Sequence, residues 1–266
     1  MPDLDEVLRA CAPMLIAYSG GVDSAYLAYA AQQAAPGQVL ALIADSPSLP
    51  RSALREALEF ARVHAIPCAT LATAEMDNPE YRRNQPDRCY HCKDELFRRM
   101  EAELECRPGF RTLVYGVNCD DRLEFRPGHR AAAEHKVRAP LLEAGLGKAA
   151  IRARARAAGL TVWDRPAAAC LASRVAYGIE VTPALLARIE LAEEALYELG
   201  FRQVRVRCHG EVARVEIARG ELPRALDLAM ADQIATRLRR AGFHYITLDL
   251  QGYRSGALNE ILPAKG

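Results

Sequence analysis

One stretch leaves this chain few ways to fold. Met14-Leu15-Ile16-Ala17-Tyr18 is a short apolar run that stops at Ser19-Gly20-Gly21-Val22-Asp23-Ser24. An apolar run of this length bounded by glycines reads as a buried strand. Ala25 to Ala34 is rich in helix formers and ends near Pro36-Gly37, a stop signal. Strand, glycine pair, helix is the context of an anion site, because a helix N-terminus leaves backbone N–H groups unpaired and carries positive partial charge. Two glycines let the backbone approach phosphates closely, and Ser19 and Ser24 can donate hydroxyl hydrogen bonds. Asp23 alone would repel a phosphate, so its natural role is to hold a Mg²⁺ that bridges phosphates. The plainer alternative is a glycine turn with a Ser/Asp cap. The string lacks the Gly-Lys-Ser/Thr form of γ-phosphate-cleaving P-loops.

The rest of the first two-thirds repeats the strand–helix alternation. Val39 to Ala44 is a second buried strand ending at Asp45, Arg51 to Val63 has helical spacing, Leu113 to Gly116 reads as a strand, and Lys148 to Ala158 as a helix. The expected class is α/β, a doubly wound, mostly parallel sheet covered on both faces. Asp45 and the string Gly116-Val117-Asn118-Cys119-Asp120-Asp121 then fall on the strand edge where open sheets bind nucleotides, although either alone could be a capped turn. Asp77 to Arg88 holds Pro79 and Pro86 and no period, and reads as a long surface loop. A second irregular stretch, Trp163 to Gly178, precedes a helix with Thr182 as N-cap and Pro183 in its first turn. Beyond it, an amphipathic helix, an alternating segment Phe201 to Arg207, another at Ala213 to Ala218 with Arg214 and Glu216 on one face, a helical region and Tyr245 to Leu250 read as a small α+β domain. The division expected is 1–178 for nucleotide binding and 179–266 for the smaller domain.

Among 266 residues, 35 basic and 34 acidic ones give a net charge of +1, without the excess of a general nucleic-acid binder. No apolar run approaches the length of a membrane span, and the acidic start Met1-Pro2-Asp3-Leu4-Asp5 lacks the order of a signal peptide. The expectation is a cytoplasmic protein, and in that compartment paired cysteines more often bind metal or do chemistry than form disulfides. Cys89-Tyr90-His91-Cys92 is such a pair, placed at the end of the long loop, and Cys170 lies in the second irregular stretch. Three thiolates could hold a 4Fe-4S cluster with one iron open, or the pair could be redox-active. A closed zinc site wants four ligands, and His91 is awkwardly placed to be the fourth. Cys11, Cys68, Cys106, Cys119 and Cys208 read mostly as small buried hydrophobes.

Ser19–Ser24 resembles the SGGxDS loop of the PP-loop ATP pyrophosphatases, which cleave ATP between the α and β phosphates, and taken together the motifs resemble the LarE family within them, ATP-dependent sulfur transferases that help build the nickel-pincer nucleotide cofactor. The resemblance runs nearly end to end. It rests on Ser19–Ser24, Asn78 to Tyr81, Asp87 to Lys93, Gly116–Asp121, Arg126-Pro127-Gly128, Ala139-Pro140-Leu141, Lys148 with Ile151-Arg152, Cys170-Leu171-Ala172-Ser173-Arg174, Arg205-Val206-Arg207 and Ala213 to Glu216. It implies adenylation of a carboxylate of a pyridinium dicarboxylate mononucleotide and displacement of AMP by sulfur, with ATP, Mg²⁺ and a homo-oligomer. In some members a cysteine matching Cys170 gives up its own sulfur. The presence of Cys89 and Cys92 instead matches the variety in which three cysteines hold a 4Fe-4S cluster.

The residues then sort into roles. Ser19, Gly20, Gly21, Asp23, Ser24, Asp45, Asn118 and Asp121 fall to ATP, with Asp23 on Mg²⁺. Cys89, Cys92 and Cys170 fall to sulfur delivery. Ser173, Arg174, Arg205, Arg207 and Arg214 are candidates for the substrate phosphate, since a guanidinium binds phosphate bidentately. A solvated strand face is the alternative for these arginines. Glu193, Glu194 and Glu216 could bind a metal in the small domain. Competing readings are a tRNA thiolase, which the balanced charge disfavours, an ammonia-using PP-loop synthetase, and a non-enzymatic nickel or iron–sulfur carrier.

Overall fold

The computed structural model describes residues 2–123, 127–166 and 169–254. Arg126, Ala167 and Ala168, which belong to motifs named above, lie outside the described residues. The chain divides into two compact units, Met1–Tyr81 with Asp87–Ala168, and Arg82–Pro86 with Ala169–Gly266.

In chain order the first unit carries α1 (Leu4–Cys11), β1 (Met14–Tyr18), α2 (Val22–Ala34), β2 (Val39–Asp45), α3 (Arg51–Val63), β3 (Cys68–Ala72), the short α4 (Pro79–Arg82, whose last residue falls in the second unit), α5 (Arg88–Cys106), β4 (Thr112–Tyr115), α6 (Pro127–Glu134), α7 (Pro140–Glu143) and α8 (Lys148–Ala157). The four strands form one parallel sheet in the order β3-β2-β1-β4. Successive side chains of a strand point to opposite faces, and β1 shows the result. Met14, Ile16 and Tyr18 join one apolar cluster with Leu8, Leu27, Phe60 and Ile151. Leu15 and Ala17 join another with Phe97, Met100 and Ala131. A strand buried on both faces needs the continuous apolar run seen in the sequence.

Three features depart from the sequence reading. The Cys89/Cys92 pair stands in the first turn of the 19-residue helix α5, not at the end of a loop. Its apolar stripe, with Leu96, Phe97 and Met100 buried, begins after a polar first turn, so the start of the helix has no period to detect. Nor is Asp77 to Arg88 simply a surface loop, since Tyr81, Asn84 and Arg88 are buried. The edge strand β3 is likewise absent from the sequence reading.

The second unit carries α9 (Pro183–Glu198), β5 (Val204–His209), β6 (Val212–Ile217), α10 (Leu222–Ala225), α11 (Leu228–Arg240) and β7 (Tyr245–Leu248). Its sheet has the order β5-β6-β7, with β5/β6 antiparallel and β6/β7 parallel. Thr182 caps α9 by accepting from the Leu185 N–H at 3.2 Å. The piece 82–86 belongs here because Asn84 Nδ2 donates to the carbonyls of Val175, Ala176 and Ile179 at 3.2, 2.8 and 3.1 Å. The Val181 N–H reinforces it by donating to Arg82 O at 2.8 Å. Unlike a solvated strand face, β5 buries Arg205 and Arg207.

Candidate active site

The sheet order places β1 between β2 and β4, so the connections leaving β1 and β4 diverge from one carboxyl edge. Such a switch point opens a crevice outside the strand ends. The loop Ser19–Ser24 lies on one side of it and Gly116–Asp121 on the other. Gly21 is the N-cap of α2 and brings no capping side chain. Gly20 has φ +73° and a Cβ there would lie 2.7 Å from Ala57 Cβ, so both backbone and space require glycine. Gly116 is required by proximity alone, because its Cβ would come within 2.9 Å of Ser24 N and Cα.

The serines hold the loop in shape. Ser24 Oγ accepts from the Ser19 N–H at 3.2 Å, lies 3.0 Å from Ser19 Oγ, and donates to Gly21 O at 3.1 Å. Across the crevice Asn118 is the hub. Its Nδ2 donates to Asp23 Oδ2 at 3.0 Å, its N–H to Asp121 Oδ2 at 3.3 Å, and its Oδ1 accepts from the N–H of Asp120 and Asp121 at 2.9 and 3.3 Å. Asp120 accepts from the Lys148 N–H at 2.6 Å at the start of α8, and Lys148 Nζ pairs with Asp121 Oδ1 at 3.1 Å. Burial first, and then the charge of Asp121, hold the Asp23 carboxyl above the usual range against the opposing effects of Asn118, Lys148 and Arg152. Two neighbouring carboxylates, one of them reluctant to ionise, beside an uncapped helix N-terminus fit a hard divalent cation carrying phosphates.

Asp45 stands at the end of β2 on the same edge and pairs with Arg51 at 2.5 Å, in a partly exposed bridge. Lys148 was not assigned a role from its position in the sequence. A lysine in the first turn of a helix opposes the helix dipole, and that misfit is the signal that could have singled it out.

Cys89 is exposed and Cys92 half-buried, one turn apart on α5 in the first unit. Cys170 is half-buried in the second unit and is the N-cap of the 3₁₀ turn Leu171–Arg174. Its carbonyl accepts from Ser173 Oγ at 2.7 Å and from Arg174 Nη1 at 3.0 Å. Among the described residues no group of three or more His, Cys, Asp or Glu is gathered to hold a metal. Burial pushes the thiols of Cys11 and Cys68 up to about 11, which suits packing and not nucleophilic chemistry.

The arginines of the second unit are buried on carboxylates. Arg174, 3% exposed, pairs with Glu193 through Nε–Oε1 at 3.0 Å. Glu216, fully buried, lies between Arg207 Nη2 at 2.9 Å and Arg214 Nη2 at 3.1 Å. Two guanidiniums thus occupy a carboxylate that the sequence offered as a metal ligand. Arg207 Nε and Arg214 Nε are buried without a hydrogen-bond partner among the described residues.

The parallel four-stranded sheet flanked by helices defines a Rossmann-like α/β protein, with the glycine-bearing loop and the facing carboxylates at one edge of that sheet. No family model matches the chain. An uncharacterized protein of Synechocystis is 40% identical over 248 residues, 93% of this chain and 92% of that protein. The pyridinium-3,5-bisthiocarboxylic acid mononucleotide synthase of Lactiplantibacillus plantarum is 31% identical over 248 residues, 93% of this chain and 89% of its own. An uncharacterized protein of Methanocaldococcus jannaschii is 28% identical over 91% of both chains. The chain belongs to the LarE family, that of the pyridinium-3,5-bisthiocarboxylic acid mononucleotide synthase.

Proposed function

We propose that the chain is an ATP-dependent sulfurtransferase that converts the carboxylates of a pyridinium dicarboxylate mononucleotide to thiocarboxylates through acyl-adenylates. The name of the 31% identical relative supports the product class. The observation that carries the ATP step is the Asp23–Asn118–Asp121 arrangement beside the N-terminus of α2. Ser19 to Ser24 cradle the phosphates. Asp23 and Asp121 would hold Mg²⁺, which would supply charge neutralisation there. A substrate carboxylate oxygen attacks the α-phosphorus, the bond to the bridging oxygen breaks, and the electron pair leaves with pyrophosphate. A sulfur nucleophile then attacks the acyl carbon and AMP departs with the other electron pair.

The resemblance gives two sulfur donors, a 4Fe-4S cluster on Cys89, Cys92 and Cys170 or Cys170 itself, and the second can be written on this chain's own atoms. Cys170 attacks as thiolate and forms a thioester. Loss of its Cα proton and cleavage of Cβ–Sγ leave the thiocarboxylate and dehydroalanine. The reading that Cys89, Cys92 and Cys170 carry a cluster instead draws support from the cysteine pair on one turn of α5. Iron and acid-labile sulfide on anaerobically purified protein, with the mass of the Cys170 peptide after turnover, separate the two. Bound iron lost in Cys89→Ser supports the cluster; dehydroalanine at 170 without iron supports the sacrificial donor.

Ser173, Arg174, Arg205, Arg207 and Arg214 receive the substrate phosphate, a role supported by the Arg207 Nε donor, which has no hydrogen-bond partner among the described residues. Self-association of a cytoplasmic enzyme through the second unit draws support from the exposed Leu226, Leu228, Tyr245 and Leu250. No helix of the described residues is long and apolar enough to cross a membrane. AMP formation that requires the pyridinium substrate tests the proposal; AMP formation that requires tRNA contradicts it.

A further inference from the structure

Arg165 touches the phosphate loop and belongs to none of the roles above. Its Nη1 donates to Gly20 O over a long 3.4 Å, and its Nη2 pairs with Glu56 on α3 at 3.0 Å. The Glu56 side chain is 56% exposed, and exposed ion pairs contribute little. The backbone, by contrast, is gripped. Arg152 Nη1 donates to Trp163 O and its Nη2 to Arg165 O, both at 2.7 Å. A guanidinium on a fixed backbone, held by two weak partners at the loop, is free to change partners.

We infer that Arg165 is the cation that receives the pyrophosphate leaving group, exchanging Gly20 O and Glu56 for phosphate oxygens. This rests on the ATP-splitting reading above. When the bond from the α-phosphorus to the bridging oxygen breaks, the electron pair and its charge settle on pyrophosphate. A guanidinium presents paired N–H donors to such an oxyanion, and a donor aimed at charge that develops in the transition state acts on kcat. The ammonium of Lys148 pairs with Asp121 and the Arg152 guanidinium is engaged by the carbonyls of Trp163 and Arg165, whereas Arg165 reaches the loop itself at Gly20 O.

The test is steady-state pyrophosphate release with Mg²⁺, ATP and the pyridinium substrate, together with product inhibition by inorganic pyrophosphate. Arg165→Ala lowers kcat about a hundredfold with KM for ATP little changed, and Arg165→Lys recovers part of the loss. Glu56→Gln releases the guanidinium and tightens inhibition by pyrophosphate severalfold. A wild-type kcat in Arg165→Ala, or a rise in KM alone, overturns the inference. If that variant does not fold, an unchanged pyrophosphate inhibition constant in Glu56→Gln overturns it. A wild-type protein that releases no pyrophosphate removes the ATP reading, and this inference with it; an active wild type with indifferent variants removes this inference alone.

Discussion

The two units hold their inward-facing carboxylates in different ways. At the sheet edge of the first, Asp23 and Asp121 lie side by side around Asn118, with Lys148 paired to Asp121. In the second, Glu193 pairs with Arg174, Glu216 lies between Arg207 and Arg214, and Arg214 Nε also faces Asp249 at 3.8 Å. Buried charge is stable only when paired and hydrogen-bonded; the first unit meets that need with an amide and a lysine, the second with guanidiniums. On the proposed function, Mg²⁺ with ATP would add a cation at the first and a substrate phosphate an anion at the second.

The largest test breaks the second network. Glu216→Ala takes the carboxylate from between Arg207 and Arg214, leaving Arg207 with the Ser173 carbonyl and Arg214 with Asp249, and loss of one member of a buried pair costs about 3–5 kcal/mol. Urea unfolding should show a loss of that size; a loss below about 1 kcal/mol would mean the network is solvated.

In the first unit the same kind of substitution should act the other way on stability. Asp23→Asn removes a carboxyl whose folded pKa is raised, so it should raise the melting temperature of the metal-free protein at neutral pH. The sign follows from linkage: a raised folded pKa gives stability below the unfolded value that is lost as pH rises through the folded one. AMP formation should fall on the order of a hundredfold or more. A variant that is both active and less stable would contradict the charge assignment.

Gly116→Ala sharpens the comparison by steric means alone. A Cβ 2.9 Å from Ser24 N should cost about 1–3 kcal/mol and weaken ATP binding, measured by unfolding and by titration with a non-hydrolysable ATP analogue.

The smallest effect concerns His135, beyond the end of α6, whose ring nitrogens lie 3.0 Å from Asp94 and Glu101 on α5. Burial lowers its pKa, but the two carboxylates outweigh burial and hold it above the ordinary value. Its stabilisation is present below the unfolded pKa of about 6.5 and fades as pH rises through the folded one. Unfolding of His135→Gln against pH should show a deficit under about 1 kcal/mol at mildly acid pH that closes in alkali.

Much of this contrast was legible in the sequence, but unevenly. The parallel sheet could be read because strands buried on both faces leave continuous apolar runs, as at Met14–Tyr18 and Val39 to Ala44. Asp23, Asn118 and Asp121 could be placed on one edge because parallel strands bring their carboxyl ends together. The helix carrying Cys89 and Cys92 could not, because its first turn has no apolar period. Nor could the burial of Arg205 and Arg207, since alternating apolar and basic residues look the same whether the basic face meets water or buried carboxylates. The pairing of Lys148 with Asp121, and Glu56 and Arg165 altogether, entered only through distances between segments far apart in the chain.

The most direct measurement of the central claim is ³¹P NMR of ATP and Mg²⁺ incubated with the protein and a pyridinium dicarboxylate mononucleotide. The account predicts AMP and pyrophosphate, formed only when that substrate is present and lost in Asp23→Asn. ADP and phosphate, or AMP formed equally well without the substrate, would contradict it.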